Sequence, residues 1–275
     1  MLYMGLFSKK NCCICGDKVG ILGGLKLKDG DLCKECKKKL SPFFDNGKES
    51  TIDDIKKQIK AREENYKQLD NLEINKIYGE FGVILIDETN KKFVALKDTS
   101  DGLFKDQKKI NSIENVKDKN PDIIDFKDIE DVEVKIIQTS REERQTIDGQ
   151  QVSYDPKHYT YMIGFDIIIK VNHPYIKVMR ISIKEGTVQI YNEEPRKQDD
   201  YIAGFVKEKL GLQRVENKSV HYDNLTIHNL VDKAMQIMPD YSYGFKCSLR
   251  NYDSIKEYAY YLALCDEIKT TLLNL

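Results

Sequence analysis

Two cysteine pairs decide how the N-terminal part of this chain folds: Cys12-Cys13-Ile14-Cys15-Gly16 and Cys33-Lys34-Glu35-Cys36. Seventeen residues separate Cys15 from Cys33, so the C-x2-C spacing occurs twice at the separation typical of four-cysteine metal sites. Two intervening residues let one tight turn direct both thiolates at the same ion, and four thiolates complete the tetrahedral shell of a structural zinc. We therefore predict a structural Zn²⁺ site with the ligands Cys12, Cys15, Cys33 and Cys36.

The same cysteines have two alternative uses. They would form disulfides in an oxidising compartment, but the sequence shows no secretory signal that would carry the chain there. Either pair would serve as a redox dithiol, although such a motif normally occurs once on a packed α/β domain. Cys13 is left over, either as a thiol beside the site or as a replacement for Cys12.

The residues around the pairs predict the rest of a small finger. Glycines and apolar residues between the pairs indicate a short hairpin that ends at the turn Asp29-Gly30. A helix follows the second pair and stops at Ser41-Pro42. A knuckle, a hairpin and a helix in this order are typical of a treble clef or a zinc ribbon, and we place this finger at residues 1–44.

A charged helix is predicted between the finger and the remainder of the chain, within residues 50–73. Ser50 with Asp53, or Thr51 with Asp54, makes a capping box at its start. Apolar residues then recur with helical spacing at Ile52, Ile55, Ile59, Tyr66 and Leu69. We interpret this segment as a linker helix, with coiled-coil pairing as the alternative.

From residue 74 onward the apolar pattern changes to the period of two that is typical of strands. Strands are expected at 81–86, 93–96, 129–137, 161–171, 176–183 and 187–191, and helices at 201–210, 225–238 and 254–273. The long polar stretch 140–156 is expected to be a mobile loop. The fold class is therefore α+β: a finger, a helical linker and an antiparallel β-barrel or sandwich with C-terminal helices.

Composition excludes several classes of protein. Lys and Arg number 44 against 45 Asp and Glu, so the chain is neither a strongly basic nucleic-acid coat nor an acidic disordered tail. No apolar run approaches the roughly 20 residues that span a bilayer, and we expect a cytoplasmic protein. Weak membrane association through Leu2, Tyr3, Leu6 and Phe7, followed by Lys9 and Lys10, is the alternative.

The finger itself has a small positive excess, because residues 1–41 hold nine lysines and four acidic residues. A basic patch formed by Lys34, Lys37, Lys38 and Lys39 would allow contact with nucleic acid. However, the finger lacks the arginines that favour base readout and the aromatic residues that favour single-strand stacking.

No catalytic motif is present: the chain has no P-loop, no GxSxG and no HExxH. The four histidines are scattered, and only His221 and His228 are spaced so that one helix face would hold both; the others are His158 and His173. Cys247 and Cys265 are expected to be buried apolar residues. We therefore name no catalytic residue, and an enzyme is less favoured than a binding protein.

The stretch from Cys12 to Cys36 resembles a family of uncharacterised bacterial and phage proteins that begin with a treble-clef zinc finger. Downstream, Phe126 to Val134, the Asn172-His173-Pro174-Tyr175-Ile176 hairpin and the closing helix resemble the pleckstrin-homology-like (PH-like) domain that often follows that finger. The resemblance implies a PH-like domain over residues 74–275, with a helical insertion at about 192–252. Bacterial PH-like domains are mostly regarded as interaction modules.

The sequence therefore predicts a zinc-stabilised cytoplasmic interaction or adaptor protein that binds a protein partner through a PH-like domain. A nucleic-acid-associated regulator that uses the basic finger is the first alternative. An enzyme of unknown class, which uses His221 and His228 or the insertion, is the second.

Overall fold

The computed structural model describes residues 10–20, 23–97, 112–192, 213–215, 219–221 and 249–274. These residues form a mixed α+β structure with a small cysteine-rich region, one helix after it, two antiparallel sheets and a C-terminal helix. The predicted helices 201–210 and 225–238, Cys247 and His228 lie outside the described residues. Among the described residues, no helix combines the length and apolar character needed to cross a bilayer.

The cysteine-rich region contains the predicted hairpin and helix in miniature. Strands β1 (Leu25–Lys26) and β2 (Asp31–Leu32) pair antiparallel, with Leu25 opposite Leu32. Helix α1 (Lys34–Lys38) begins immediately afterwards, and a 3-10 turn follows at Gly47–Glu49. The region therefore has the knuckle, hairpin and helix order that the sequence predicts.

Helix α2 (Ile52–Gln68) starts at the second of the two predicted capping boxes. The Asp54 N–H donates to Thr51 Oγ1 at 3.3 Å, and the Thr51 N–H donates to Asp54 Oδ2 at 2.9 Å. Both N–H groups would otherwise lack a partner at the helix start. A 3-10 turn at Leu69–Asn71 ends the segment, so the structure places the predicted helix within residues 50–73.

The first sheet has four antiparallel strands in chain order: β3 (Lys76–Tyr78), β4 (Val83–Asp87), β5 (Lys92–Leu96) and β6 (Ile123–Asp125). The predicted strands 81–86 and 93–96 correspond to β4 and β5, which pair with Leu85 opposite Val94. Sequence reasoning missed β6, a three-residue strand reached through 3-10 turns at Ile113–Asn115 and Lys117–Lys119.

The second sheet is built on two very long strands, β7 (Ile129–Ile147) and β8 (Gln150–Val171). A 3-10 turn at Phe126–Asp128 connects β6 of the first sheet with β7. Strands β9 (Val178–Ser182) and β10 (Val188–Asn192) pair with the edge of β8 that faces away from β7. Strand β9 pairs with residues 166–170 of β8, and β10 pairs with residues 159–163. On the other side β7 pairs with β12 (Ser219–His221), which pairs with β11 (Gln213–Val215).

The expectation of a mobile loop at residues 140–156 is wrong, because these residues continue β7 and β8 as a hairpin. The hairpin turns at Asp148-Gly149, where both residues have positive φ, of 50° and 77°. Asp-Gly is the pair that a two-residue turn of this kind prefers. We call residues 144–157 the ribbon, since Arg144 to Ile147 pair only with Gln150 to Ser153 among the described strands.

One hydrophobic core joins the two sheets and the C-terminal helix α3 (Leu249–Asn274). The Phe165 ring of β8 lies 5.6 Å from the Tyr258 ring and 5.5 Å from the Tyr261 ring, measured between centroids. The helix buries Tyr258, Leu262, Ile268 and Leu272 together with Cys265, which the sequence predicts to be buried. The helix begins earlier than the predicted Ser254.

Neither sheet closes into a barrel within the described residues. In the smaller sheet β3 and β6 are the two edges, and in the larger one the strand order runs from β10 through β8, β7 and β12 to β11. The predicted α+β class is therefore confirmed, whereas a closed PH-like barrel is not.

We expect Asp266 to make the stability of the fold depend on pH. Asp266 is 7% exposed on the buried face of α3, and burial raises its pKa from 3.8 to about 6. The folded state thus binds the proton more tightly than the unfolded chain, so the free energy of unfolding falls as pH rises through this interval. Asp266→Asn should therefore stabilise the protein by about 1–2 kcal/mol at pH 7.5 and by little at pH 4.

Urea unfolding at the two pH values measures this difference, with the exposed Asp118→Asn as the matched control. Equal effects of Asp266→Asn at pH 4 and pH 7.5 would contradict the assignment.

Candidate metal centre

The structure brings together the four predicted cysteines Cys12, Cys15, Cys33 and Cys36. Their sulfur atoms all lie within 4.8 Å of one another. The first two belong to the knuckle that precedes β1, and the other two flank the first turn of α1. Cys12, Cys33 and Cys36 are buried, while Cys15 is exposed.

The backbone of each pair is shaped to present its sulfur atoms. In the knuckle the Gly16 N–H donates to the Cys12 carbonyl at 2.9 Å, and the φ of +81° at Gly16 is the left-handed conformation that glycine adopts without strain. In the second pair Cys33 caps α1, since its sulfur accepts a hydrogen bond from the Cys36 N–H at 3.4 Å. The glycine that follows the first pair therefore has a specific geometric role in the knuckle.

The distances between the sulfur atoms fit a metal site and not a disulfide. Cys15 Sγ and Cys33 Sγ are 3.6 Å apart, and all six cysteines in the described residues are free thiols. A disulfide bond is about 2.05 Å long. Four thiolates at about 2.3 Å from a tetrahedral ion lie about 3.8 Å from one another. The cluster is already close to the geometry that an ion would require.

Electrostatics at Cys12 also favour an anionic ligand. Burial alone would raise the pKa of Cys12, but the backbone N–H groups of Cys15, Cys33 and Ile14 lower it to about 6. For Cys36, burial and the neighbouring sulfur atoms raise the pKa. Ionisation of Cys36 beside its neighbours is therefore favoured when a cation compensates the added negative charge.

Cys13 does not belong to the four-sulfur group. A Cβ added to Gly30 would lie 3.2 Å from Cys13 Cβ and 3.1 Å from Ile52 Cδ1. Cys13 therefore lies beside the hairpin turn at Gly30 and packs against the apolar core of the finger. Among the described residues, the four cysteines are the sole group of three or more His, Cys, Asp or Glu residues placed to hold an ion.

The cluster of four cysteines lies against a small apolar core that α2 completes. Leu27, Leu32 and Leu40 are buried together with Ile55 of α2, which is 1% exposed. Ile52 and Ile59 pack against the same core. Helix α2 is therefore a packed part of the cysteine-rich region, in addition to connecting it with the sheets.

The predicted basic residues lie on the surface of the finger. Lys34, Lys37, Lys38 and Lys39 are all exposed, and Lys38 pairs with Glu35 at 2.9 Å. Glu35 therefore neutralises part of the patch.

The structure does not assemble the histidines into a site within the described residues. His158 stacks on Tyr154 with 4.2 Å between ring centroids and is 3.1 Å from the Tyr191 hydroxyl, on the second sheet. His173 follows β8 and contacts Tyr175 edge-on, and burial lowers its pKa. The backbone of His221 belongs to β12, so the predicted helix shared with His228 does not begin at His221.

Sequence reasoning missed a buried polar cluster next to the metal centre, made of Ser41, Arg62 and Asp122. These three residues are 5%, 3% and 1% exposed, respectively. Arg62 Nη1 lies 2.5 Å from Asp122 Oδ1, and the Ser41 hydroxyl donates to Asp122 Oδ2 at 2.6 Å. An arginine on a charged helix shows nothing unusual in sequence, because its partner is sixty residues away. We call these three residues the docking cluster.

Comparison with known proteins gives a match in the cysteine-rich region and the start of α2. Residues 10–58 match a family described as a domain of unknown function, DUF4428. The match includes all four clustered cysteines and ends inside α2, after Ile55. No curated protein and no solved structure matches the chain.

Metal binding is testable through a pair of cysteine variants. The intact protein should bind about one equivalent of metal, and Cys33→Ser should reduce this severalfold, because the three remaining thiolates no longer close the shell. Cys13→Ser is the matched control and should retain the metal. Metal analysis of the purified proteins by plasma mass spectrometry measures the content; equal losses in the two variants would contradict the four-cysteine assignment.

Proposed function

We propose that the cluster holds a structural Zn²⁺ ion with Cys12, Cys15, Cys33 and Cys36 as ligands. The fit rests on the donor set, since four thiolates suit zinc better than magnesium, calcium or manganese. Four protein ligands fill the tetrahedral shell, so no position stays open for water or a substrate. Zinc in such a site stabilises a fold and does not take part in a reaction.

Zinc would supply much of the stability of this region. The strands β1 and β2 have two residues each and α1 has five, so regular structure contributes little. Structural zinc binding in finger peptides is worth on the order of 10–16 kcal/mol. A cytoplasmic address accompanies this proposal, because free thiols persist in a reducing compartment.

For the chain as a whole we propose an interaction protein that binds a protein partner. The observation that carries this proposal is the ribbon, which extends beyond the strands that flank it, β12 beside β7 and β10 beside β8. Strand β12 pairs with β7 no further than Ile137, and β10 pairs with β8 no further than Tyr159. Among the described strands, none therefore pairs with the outer backbone edges of the ribbon.

An isolated two-stranded ribbon is marginally stable in water, and a third strand stabilises it. An extended segment of another protein would add that strand through backbone hydrogen bonds. Ile147, which is 50% exposed beside the turn, would bury apolar surface in such a complex. These features favour a protein partner over a small molecule.

The relation to PH-like domains belongs to the same proposal. Two antiparallel sheets that share one core, with a C-terminal helix packed against β7, β8 and β10, support it. The open edges of both sheets are the point at which the described residues differ from a closed PH-like barrel.

Shortening the ribbon tests the interaction. Glu143 pairs with His158, so replacing residues 144–157 by Asp-Gly joins the strands through a two-residue turn without altering their register. We expect the shortened protein to bind a purified partner of the full chain at least about tenfold more weakly than the full chain does. Its zinc content and unfolding temperature should stay unchanged.

Ile147→Ser on the full ribbon separates the contribution of the tip from that of the edges. Retention of the partner at full affinity by the shortened protein would overturn the assignment of the ribbon as the binding element.

A second candidate is nucleic-acid binding through the finger, favoured by the exposure of Lys34, Lys37, Lys38 and Lys39. Affinity for mixed DNA and RNA oligonucleotides should then fall linearly with the logarithm of salt concentration. Replacing all four lysines by Gln should lower the slope by about three to four, whereas the same change at Lys56, Lys57 and Lys60 of α2 should not. Binding that is absent, or that does not depend on salt, excludes this candidate.

A further inference from the structure

The docking cluster joins the metal region to the sheets. Ser41 lies five residues after the last clustered cysteine, and Asp122 comes directly before β6 of the first sheet. Arg62 of α2 lies between them and contacts both sides. It donates through Nε to the Lys39 carbonyl at 3.0 Å, through Nη1 to Asp122, and through Nη2 to the Asn120 carbonyl.

All three members are buried, so every one of these hydrogen bonds affects stability. The Arg62 side chain is 4% exposed and that of Asp122 is 1% exposed. A buried ion pair is tolerated when hydrogen bonds satisfy both groups, and it becomes costly once a partner withdraws. The metal region supplies two of these partners, the Lys39 carbonyl and the Ser41 hydroxyl.

The position of both partners depends on α1. Lys39 is the C-terminal cap of this helix, and its N–H donates to the carbonyl of Cys36 at 3.2 Å. Cys33 is the N-terminal cap of the same helix. One turn of helix therefore connects two candidate ligands with the two groups that satisfy Arg62 and Asp122.

The sheet side of the contact is equally fixed. The Asn65 amide donates to Asn120 Oδ1 at 2.9 Å and to the Pro121 carbonyl at 2.7 Å, and its oxygen accepts from the Ile123 N–H at 2.8 Å. Phe43, only two residues after Ser41, is buried in the core shared by the two sheets. The contact thus has two ordered halves, one held by α1 and the other by α2 and β6.

We propose that the docking cluster couples metal occupancy of the four cysteines to the docking of the finger against the sheets. This inference rests on the proposed metal site. With the metal bound, α1 presents Lys39 and Ser41 to Arg62 and Asp122; without it, α1 loses its anchor and the ion pair loses two partners. The contact then weakens, and the finger separates from the sheets.

Thermodynamic linkage makes the coupling reciprocal. If the metal strengthens docking, then docking must strengthen metal binding by the same factor. A variant that breaks the contact without touching a cysteine should therefore bind the metal more weakly. A merely structural ion pair, independent of the metal, would leave metal affinity unchanged.

The experiment measures Zn²⁺ affinity of the full-length protein by competition with a chromophoric chelator. Ser41→Ala removes the hydroxyl that reaches Asp122 and should weaken Zn²⁺ binding by at least about fivefold. Since Ser41→Ala is mild, the double variant R62M/D122L provides a second test in which both charges are removed together and no buried charge is left alone. Lys67→Met on the same helix, which breaks only an exposed pair with Glu64, is the matched control and should bind Zn²⁺ like the intact protein.

Hydrogen exchange of the intact protein gives an independent readout. Removing Zn²⁺ with a chelator should increase exchange at residues 36–43 and also at 120–125, on the far side of the contact, while β4 and β5 stay protected. Wild-type Zn²⁺ affinity in both folded variants, together with unchanged exchange at 120–125, would overturn the coupling and leave the metal site intact. Absence of Zn²⁺ binding by the intact protein would instead overturn the metal site itself.

Discussion

The organisation of this molecule depends on one buried ion pair, between Arg62 and Asp122. Charges at 4% and 1% side-chain exposure are unfavourable unless their surroundings satisfy them, and here the surroundings come from three separate parts of the chain. Lys39 and Ser41 come from the finger, Arg62 from the helix that follows, and Asn120 from the approach to β6. The pair therefore fixes how these parts are arranged, whereas apolar packing alone would tolerate small shifts between them.

Two different kinds of physics stabilise the two ends of this arrangement. The sheets and α3 bury a continuous apolar core in which residues such as Phe93, Ile167 and Leu262 have no exposed surface. The cysteine-rich region has few such residues, and it combines a cluster of thiols with apolar side chains borrowed from α2. A metal site commonly substitutes for a large core in small domains, and the four cysteines are placed so that they could hold an ion.

Local patterns in the sequence were sufficient for the features that local physics determines. The spacing of the cysteine pairs predicted which four would cluster, and Thr51 with Asp54 predicted the start of α2. The strands around Leu85 and Val94 and the C-terminal helix α3 followed from their periodicity. The identity of the metal as zinc, the protein partner and the cytoplasmic location remain proposals.

The features that sequence reasoning missed depend on distant contacts or on polar strands. Arg62 resembles any other charged helical residue until Asp122 is placed beside it. Residues 140–156 lack the apolar alternation of a half-buried strand, because the half-buried positions there, such as Glu143 and Gln145, are mostly polar. The turn of the ribbon did carry a signal, since Asp148-Gly149 is a preferred pair for a two-residue hairpin.

The burial of Ile55 in the core of the finger has a consequence for the modularity of this protein. A recombination event that joined residues 1–44 to another protein would leave behind the side chain that covers Leu27, Leu32 and Leu40. The smallest transferable unit extends at least through Ile55, in line with the residues 10–58 that the matched family spans. Even that unit would arrive without Arg62. Its new host would have to evolve its own means of orienting it, so the finger and its sheets are expected to diverge together and not as interchangeable parts.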